Sequence, residues 1–116
     1  MEDCLFCKIA AHKLPAEIIY EDSEMVAFKD IRPLAPVHIL IIPVKHLADI
    51  ACMEEEDIAL IGKMHRLAVD LAHAHNIAES GFRLVTNCKE HSGQEVAHLH
   101  YHLIGGDYLG PFTQKA

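Results

Sequence analysis

A chain of 116 residues, 51% hydrophobic and 23% charged, has material for one hydrophobic core, so a single domain over residues 1–116 is expected. Its 10 basic and 17 acidic side chains leave a net charge of −7 with neutral histidines, which argues against a nucleic-acid track, because phosphate backbones are met by clustered Lys and Arg. No apolar run approaches the roughly 18 residues of a membrane span, and the opening Met-Glu-Asp-Cys lacks the basic stretch of an export leader, so a soluble, cytoplasmic protein with four reduced cysteines is expected.

Cys4 to Ala11 reads as a short helix with Leu5, Phe6 and Ile9 inward, stopped by Lys13-Leu14-Pro15. Ile18 to Glu21 and Met25 to Lys29 form a hairpin across Asp22-Ser23-Glu24. A Pro-rich connection, Asp30-Ile31-Arg32-Pro33 and Ala35-Pro36, leads to Val37 to Pro43, apolar except for His38, rich in β-branched residues and too short for a helix: a central strand. Cys52 and Cys88, flanked by apolar residues or strand, read as buried thiols.

From about Glu54 to Asn76, helical spacing puts Ile58, Ile61, Met64, Leu67, Ala68 and Leu71 on one core-facing stripe. Glu54 to Asp57 favour the helix N-terminus, His73 and His75 face solvent, and His65 takes a surface or boundary place. Gly81 to Asn87 is a further strand, Lys89 to Gly93 a loop, Gln94 to Ile104 the last strand, and Asp107 to Ala116 an irregular tail. The order predicts an α+β fold: an antiparallel sheet of about five strands, with the long helix and the short N-terminal helix packed on one face.

The chemistry concentrates in the last strand, where His98, His100 and His102 alternate with Leu99, Tyr101 and Leu103. Side chains repeat every two residues in a strand, so the imidazoles share one face at spacings of about 6.6 Å. Three readings are open: a solvated strand face, a zinc site with imidazoles at i and i+2, and a neutral imidazole acting as a nucleophile at phosphorus. No Asp follows the second His, as it does in typical binuclear hydrolase runs, which weakens the metal-hydrolase reading. Cys4-x-x-Cys7 is half a metal site, a redox pair or simple burial.

The run His98-Leu-His-Tyr-His-Leu-Ile resembles the signature of the histidine triad (HIT) family. The likeness extends to Asp3-Cys-Leu-Phe-Cys-Lys-Ile, Ala27-Phe-Lys-Asp-Ile, Ala35-Pro-Val-His-Ile-Leu-Ile-Ile-Pro and Gly93-Gln-Glu-Val-Ala-His, in the order and spacing of the Hint-like branch. The resemblance implies hydrolysis of purine nucleoside 5′-phosphoramidates at the α-phosphate through a covalent nucleotidyl-histidine, without a catalytic cofactor, in a homodimer. It also implies the roles. His100 is the nucleophile, His102 contacts the phosphate, and His38 and His98 complete the catalytic group. Asp30 and Ile31 hold the ribose, Asn87, Gly93, Gln94 and Glu95 surround the phosphate, and Leu5, Phe6, Phe28 and Leu40 line the base.

Position 95 is Glu where several Hint-like proteins carry a Ser that meets the leaving group, and the tail has no Trp. HIT proteins with this Cys pair use a ligand at the position of His46, so the resemblance implies a structural zinc on Cys4, Cys7, His46 and His98. The alternatives are a dinucleoside polyphosphate hydrolase, as in another HIT branch, and a nucleotide-binding interaction module with weak turnover.

Overall fold

The computed structural model describes residues 3–112; the end of the expected irregular tail, 113–116, lies outside the described residues, as do residues 1–2. Helix α1 (Leu5–Ala10) precedes the hairpin β1 (Ile18–Glu21) and β2 (Met25–Lys29), then β3 (Val37–Pro43), helix α2 (Ile58–Ala74), β4 (Phe82–Val85) and β5 (Tyr101–Gly105). The strands form one antiparallel sheet in the order β1-β2-β3-β5-β4. The hairpin turn is held by Asp22, whose Oδ1 accepts the backbone N–H groups of Glu24 and Met25 at 2.8 Å each. Such side-chain acceptance is why Asp favours turns.

The two helices lie on opposite faces, not on one face as expected. Ile39 and Ile41 of β3 join Met64, Leu67 and Leu71 of α2 in one cluster, whereas Leu40 and Ile42 join Phe6 and Ile9 of α1 in another. The continuous apolar run of β3 reflects this burial from both sides, since a strand facing solvent on one side alternates. In α1 the buried pair is Phe6 and Ile9, three residues apart, and Leu5 is 47% exposed rather than inward. Its N-terminus is capped by the Cys4 side chain, whose Sγ accepts from the Cys7 N–H at 3.3 Å.

Helix α2 follows a single 3-10 turn, Glu55–Asp57, closed by a reciprocal capping box between Glu54 and Asp57. Asp57 is buried, and its Oδ1 accepts from Lys45 Nζ at 2.6 Å. The core stripe is Leu60, Met64, Leu67, Ala68, Leu71 and Ala72. Ile58, expected in the stripe, is 59% exposed, and Ile61 is half-buried. At roughly 100° per residue Ile58 sits about 120° from Met64, outside the stripe that Leu60 begins. His65 is exposed, as a surface place requires, and has a partner, its Nε2 lying 3.0 Å from Tyr101 Oη. His73 is exposed; His75 is half-buried, with Nδ1 donating to the Leu71 carbonyl at 3.0 Å.

Cys52 is exposed and Cys88 half-buried, against the expectation of burial. Each lies in a short surface segment, Cys52 in the 3-10 turn Ile50–Cys52 and Cys88 just beyond β4, where apolar chain neighbours do not create a core. The triad strand is also shorter than expected: pairing starts at Tyr101, opposite Ile41 of β3, and His98 and His100 precede the ladder. The alternation persists without it. Leu99, Tyr101 and Leu103 enter the α2-side core. On the other side, the Phe6 ring lies 6.0 Å from His98 and 5.0 Å from His100. Among the described residues no helix is long and apolar enough to cross a membrane.

Gly105 ends β5 under Ile77, which is fully buried, and a Cβ there would stand 2.8 Å from Ile77 Cδ1 and 3.2 Å from Ile77 Cβ. Gly105→Ala should therefore lower stability by about 1–3 kcal/mol, read as a lower urea midpoint at unchanged m-value; an unaltered midpoint would show that Ile77 moves aside freely.

Candidate active site

Hydrogen bonds fix where each imidazole of the site carries its proton. His100 Nδ1 lies 2.7 Å from the His98 carbonyl oxygen. A carbonyl only accepts, so Nδ1 carries the hydrogen and Nε2 of the neutral ring keeps a lone pair. His98 Nε2 donates to the Pro43 carbonyl at 2.8 Å, which leaves its Nδ1 as the lone-pair nitrogen. His38 Nδ1 accepts the Leu34 N–H at 3.1 Å, so its Nε2–H must donate. It points at His102 Nδ1, 2.9 Å away, with Asp30 Oδ2 further off at 3.4 Å. His102 then accepts at Nδ1 and presents Nε2–H. The result is a lone pair on His100 beside an N–H on His102, with ring centroids 5.1 Å apart.

These proton placements are those of neutral rings, and at His38, His98 and His102 burial favours the neutral form. Removal from water pushes His102 down to about 4, helped by neighbouring His100 and His38. Burial likewise takes His98 down to about 4, against the opposing bond to Pro43. It lowers His38 too, partly offset by the Asp30 carboxylate.

His100 and His102 open into a cleft of about 410 Å3. Of the residues expected there, Phe6, Asp30, His38, Leu40, Asn87, Gly93 and Glu95 line it. Gly93 has φ +85, the left-handed region where a side chain is strained. The others stand elsewhere. Ile31 is 90% exposed, Leu5 lines an adjoining cavity, and Phe28 is buried behind Phe6 at 5.6 Å between ring centroids. Gln94 is a strut: its Nε2 donates to the carbonyls of Ala48 and Val96, and its Oε1 accepts the Lys89 N–H.

Arg32, Leu34 and Val96 also line the cleft and escaped the sequence reading. Leu34 further contributes its backbone N–H to His38, as Pro43 and His98 contribute carbonyls; backbone atoms leave no trace in residue type. A cavity of about 430 Å3 between β4 and Gly106 to Gly110 is as large, but no imidazole lines it.

Behind the cleft, Cys4, Cys7, His46 and His98 bring their ligand atoms within 4.8 Å of one another. His98 Nδ1 stands 3.2 Å from Cys4 Sγ, 3.4 Å from Cys7 Sγ and 3.2 Å from His46 Nδ1, and Cys7 Sγ lies 3.3 Å from His46 Nδ1. A tetrahedral zinc with ordinary Zn–S and Zn–N bonds holds its ligand atoms about 3.3–3.8 Å apart, so this donor set fits the ion closely. The His98 lone pair faces inward, as a ligand needs. Asp30, His38 and His102 form a second close group. There the donors do not fit a metal: His38 Nε2 could bind one only after its proton moved to Nδ1, which already accepts the Leu34 N–H.

His102 titrates at about 4 in the folded chain against an ordinary 6.5. Between those values the unfolded chain binds a proton that the folded chain refuses. The stabilisation is complete above pH 6.5 and is lost as pH falls towards 4, with a slope of at most about 1.4 kcal/mol per pH unit from this group. Urea denaturation across that window should show a shallower pH slope in His102→Asn than in the wild type; equal slopes would place the acid sensitivity elsewhere.

Comparison with known proteins follows the same residues. A family profile described as "Scavenger mRNA decapping enzyme C-term binding" matches residues 3–116. The chain is 46% identical to protein HitA of Neisseria gonorrhoeae over 90% of its own length and 97% of that protein. It is 43% identical to the purine nucleoside phosphoramidase of Escherichia coli (strain K12), covering 95% of this chain and 92% of that one. A HIT family hydrolase structure from Clostridium thermocellum superposes with a TM-score of 0.92 at 48% identity, over 96% of each chain. With the alternating imidazoles in place and these likenesses spanning nearly its whole length, the chain belongs to the histidine triad family.

Proposed function

We propose that this chain hydrolyses purine nucleoside 5′-phosphoramidates, with His100 as the nucleophile. The observation that carries the reading is the His100 Nδ1–H bond to the His98 carbonyl, which assigns the hydrogen of the neutral ring to Nδ1 and leaves Nε2 as its nucleophilic nitrogen in a residue that lines the cleft. A neutral imidazole can attack phosphorus without first losing a proton to a strong base. The name of the E. coli relative, a purine nucleoside phosphoramidase, supplies the substrate class.

In the first step His100 Nε2 bonds to the α-phosphorus and the P–N bond breaks; the departing nitrogen takes one proton from solvent and leaves as the amine. In the second step water attacks the phosphorus, the P–Nε2 bond breaks, and the water's extra proton returns to solvent. One water is consumed overall. His102 Nε2–H donates to a phosphate oxygen in both steps, while Asp30 receives the ribose hydroxyls and Asn87 and Gly93 flank the phosphate. Phe6 and Leu40 form the apolar wall for the base. The substrate is thus bound by a few directed donors, in keeping with a chain of net charge −7.

His100→Ala should lower kcat by several decades while an AMP analogue still binds, and mass spectrometry of the wild type quenched during turnover of an AMP amide should find adenylated His100. A variant retaining more than about a tenth of the rate, a barrier change under ~1.4 kcal/mol, would remove His100 from the role. The same adduct and assay distinguish this reading from a binding module.

The Cys4, Cys7, His46 and His98 set is proposed to hold a structural zinc. All four positions would be filled by protein, so the ion would tie α1 to the segment after β3 and to the triad run without touching substrate. Protein purified without added metal should contain about one equivalent of zinc, and the Cys4→Ser, Cys7→Ser double variant should lose it; full zinc occupancy in that variant would rule the set out. The assembly proposed is a homodimer, which sedimentation at micromolar concentration tests.

A further inference from the structure

Three consecutive residues, Leu47, Ala48 and Asp49, hold both halves of the site. The Leu47 carbonyl accepts at 2.6 Å the N–H of Leu99, which stands between His98 and His100 in the chain. The Ala48 carbonyl accepts from Gln94 Nε2 at 2.8 Å, and the buried Asp49 carboxylate accepts from Lys89 Nζ at 2.9 Å. One short stretch of chain thus relates the triad run to the loop from Asn87 to Gly93, whose two ends line the cleft.

Within that loop Lys89 is held in a conformation that a side chain disfavours. Its φ of +66 and ψ of −173 lie in a region that glycine enters readily and other residues occupy only where surrounding contacts enforce it. The backbone contacts close the loop: the Lys89 N–H donates to Gln94 Oε1 at 2.7 Å, and its carbonyl accepts from Ser92 Oγ at 2.7 Å. Glycine would make the same two bonds without strain, so what lysine adds is its ammonium. That ammonium is the one cation paired with Asp49 among the described residues, and it holds the carboxyl below the usual carboxylate range against the effect of burial.

We propose that Lys89 and Asp49 are positioning residues for the attack on phosphorus. Their ion pair fixes the loop carrying Asn87 and Gly93 on the segment that holds the triad run, and so sets the distance and line from His100 Nε2 to the phosphorus. Neither stands among the cleft's described lining residues, so the pair acts through the loop and not on the substrate. An error of about 1 Å in such an alignment costs up to about a hundredfold in rate. Asp30, Phe6 and Leu40, which hold the nucleoside, lie outside the loop. The proposal rests on the reading of His100 as nucleophile and of Asn87 and Gly93 as phosphate neighbours.

The test measures the single-turnover rate of amine release from an AMP amide, per adenosine-binding site, together with the Kd of adenosine, which carries no phosphate. In Lys89→Met the rate should fall about tenfold while the adenosine Kd stays within about twofold of the wild type. Lys89→Gly, which relieves the backbone, should show the same loss, and Lys89→Arg, which keeps a cation for Asp49, should retain at least about half the rate. Asp49→Asn combined with Lys89→Met should be no slower than the slower single variant, because the two changes remove one contact. A Lys89→Gly rate within about twofold of the wild type, which would assign any loss in Lys89→Met to the backbone, overturns the proposal and leaves the hydrolase reading standing. So does a loss of adenosine affinity parallel to the loss of rate. No amine release by the wild type overturns both.

Discussion

The hydrogen bond from His100 Nδ1–H to the His98 carbonyl is the contact on which the site depends. It runs between residues two apart, so its geometry is decided by how firmly the backbone at His98 is held. That residue is fully buried, its ring anchored through Nε2 to Pro43 at the end of β3 and through Nδ1 to the Cys4, Cys7 and His46 group. Its backbone neighbour Leu99 donates to the Leu47 carbonyl at 2.6 Å. A residue that offers no side-chain atom to the cleft thereby orients the ring that does. The proposed zinc would act on the chemistry in this indirect way, by stiffening a carbonyl.

Burial and proton placement support one another in the rest of the group. An imidazole exposed to water near neutrality exchanges between two neutral forms and a cation. Desolvation removes the cation from His38, His98 and His102, and backbone partners then select one neutral form of His38 and His98. His102 inherits its form from His38. Leu34 thus acts at a distance, its N–H fixing His38 so that His102 can present N–H to the cleft.

Residue type and spacing carried much of this into the sequence. The bounds of β1 and β2 follow from short apolar runs around the polar Asp22-Ser23-Glu24, those of β3 from a β-branched run after a Pro-rich connection, and the alternation at 98–103 separates histidines from core residues even where strand pairing is absent. Cys4-x-x-Cys7 marks half of the donor group, and His46 was reached only through family likeness. What was not legible falls into two kinds. Phase and sidedness of the helices, including exposed Ile58 and Leu5, depend on what packs against each element. The donors and acceptors that set the imidazoles are main-chain atoms of Leu34, Pro43 and His98, and any residue type would supply the carbonyls.

Placing α1 and α2 on opposite faces also divides the labour of the central strands by parity. In β3, Ile39 and Ile41 hold α2 while His38 and Leu40 face the cleft; in the triad run, Leu99, Tyr101 and Leu103 hold α2 while His98, His100 and His102 turn to the other side, where His100 and His102 line the cleft. The register Leu40↔His102 brings the cleft-facing sets of both strands side by side. A slip of one residue would bury imidazoles against α2 and turn isoleucines to the cleft, so the apolar residues that stabilise the sheet also specify its register. Catalytic geometry and stability are in this way coupled through the same two strands, although no side chain serves both faces. Substitutions at the odd positions act on the site only through the register and spacing of the sheet, whereas those at His38, Leu40, His100 and His102 act on it directly.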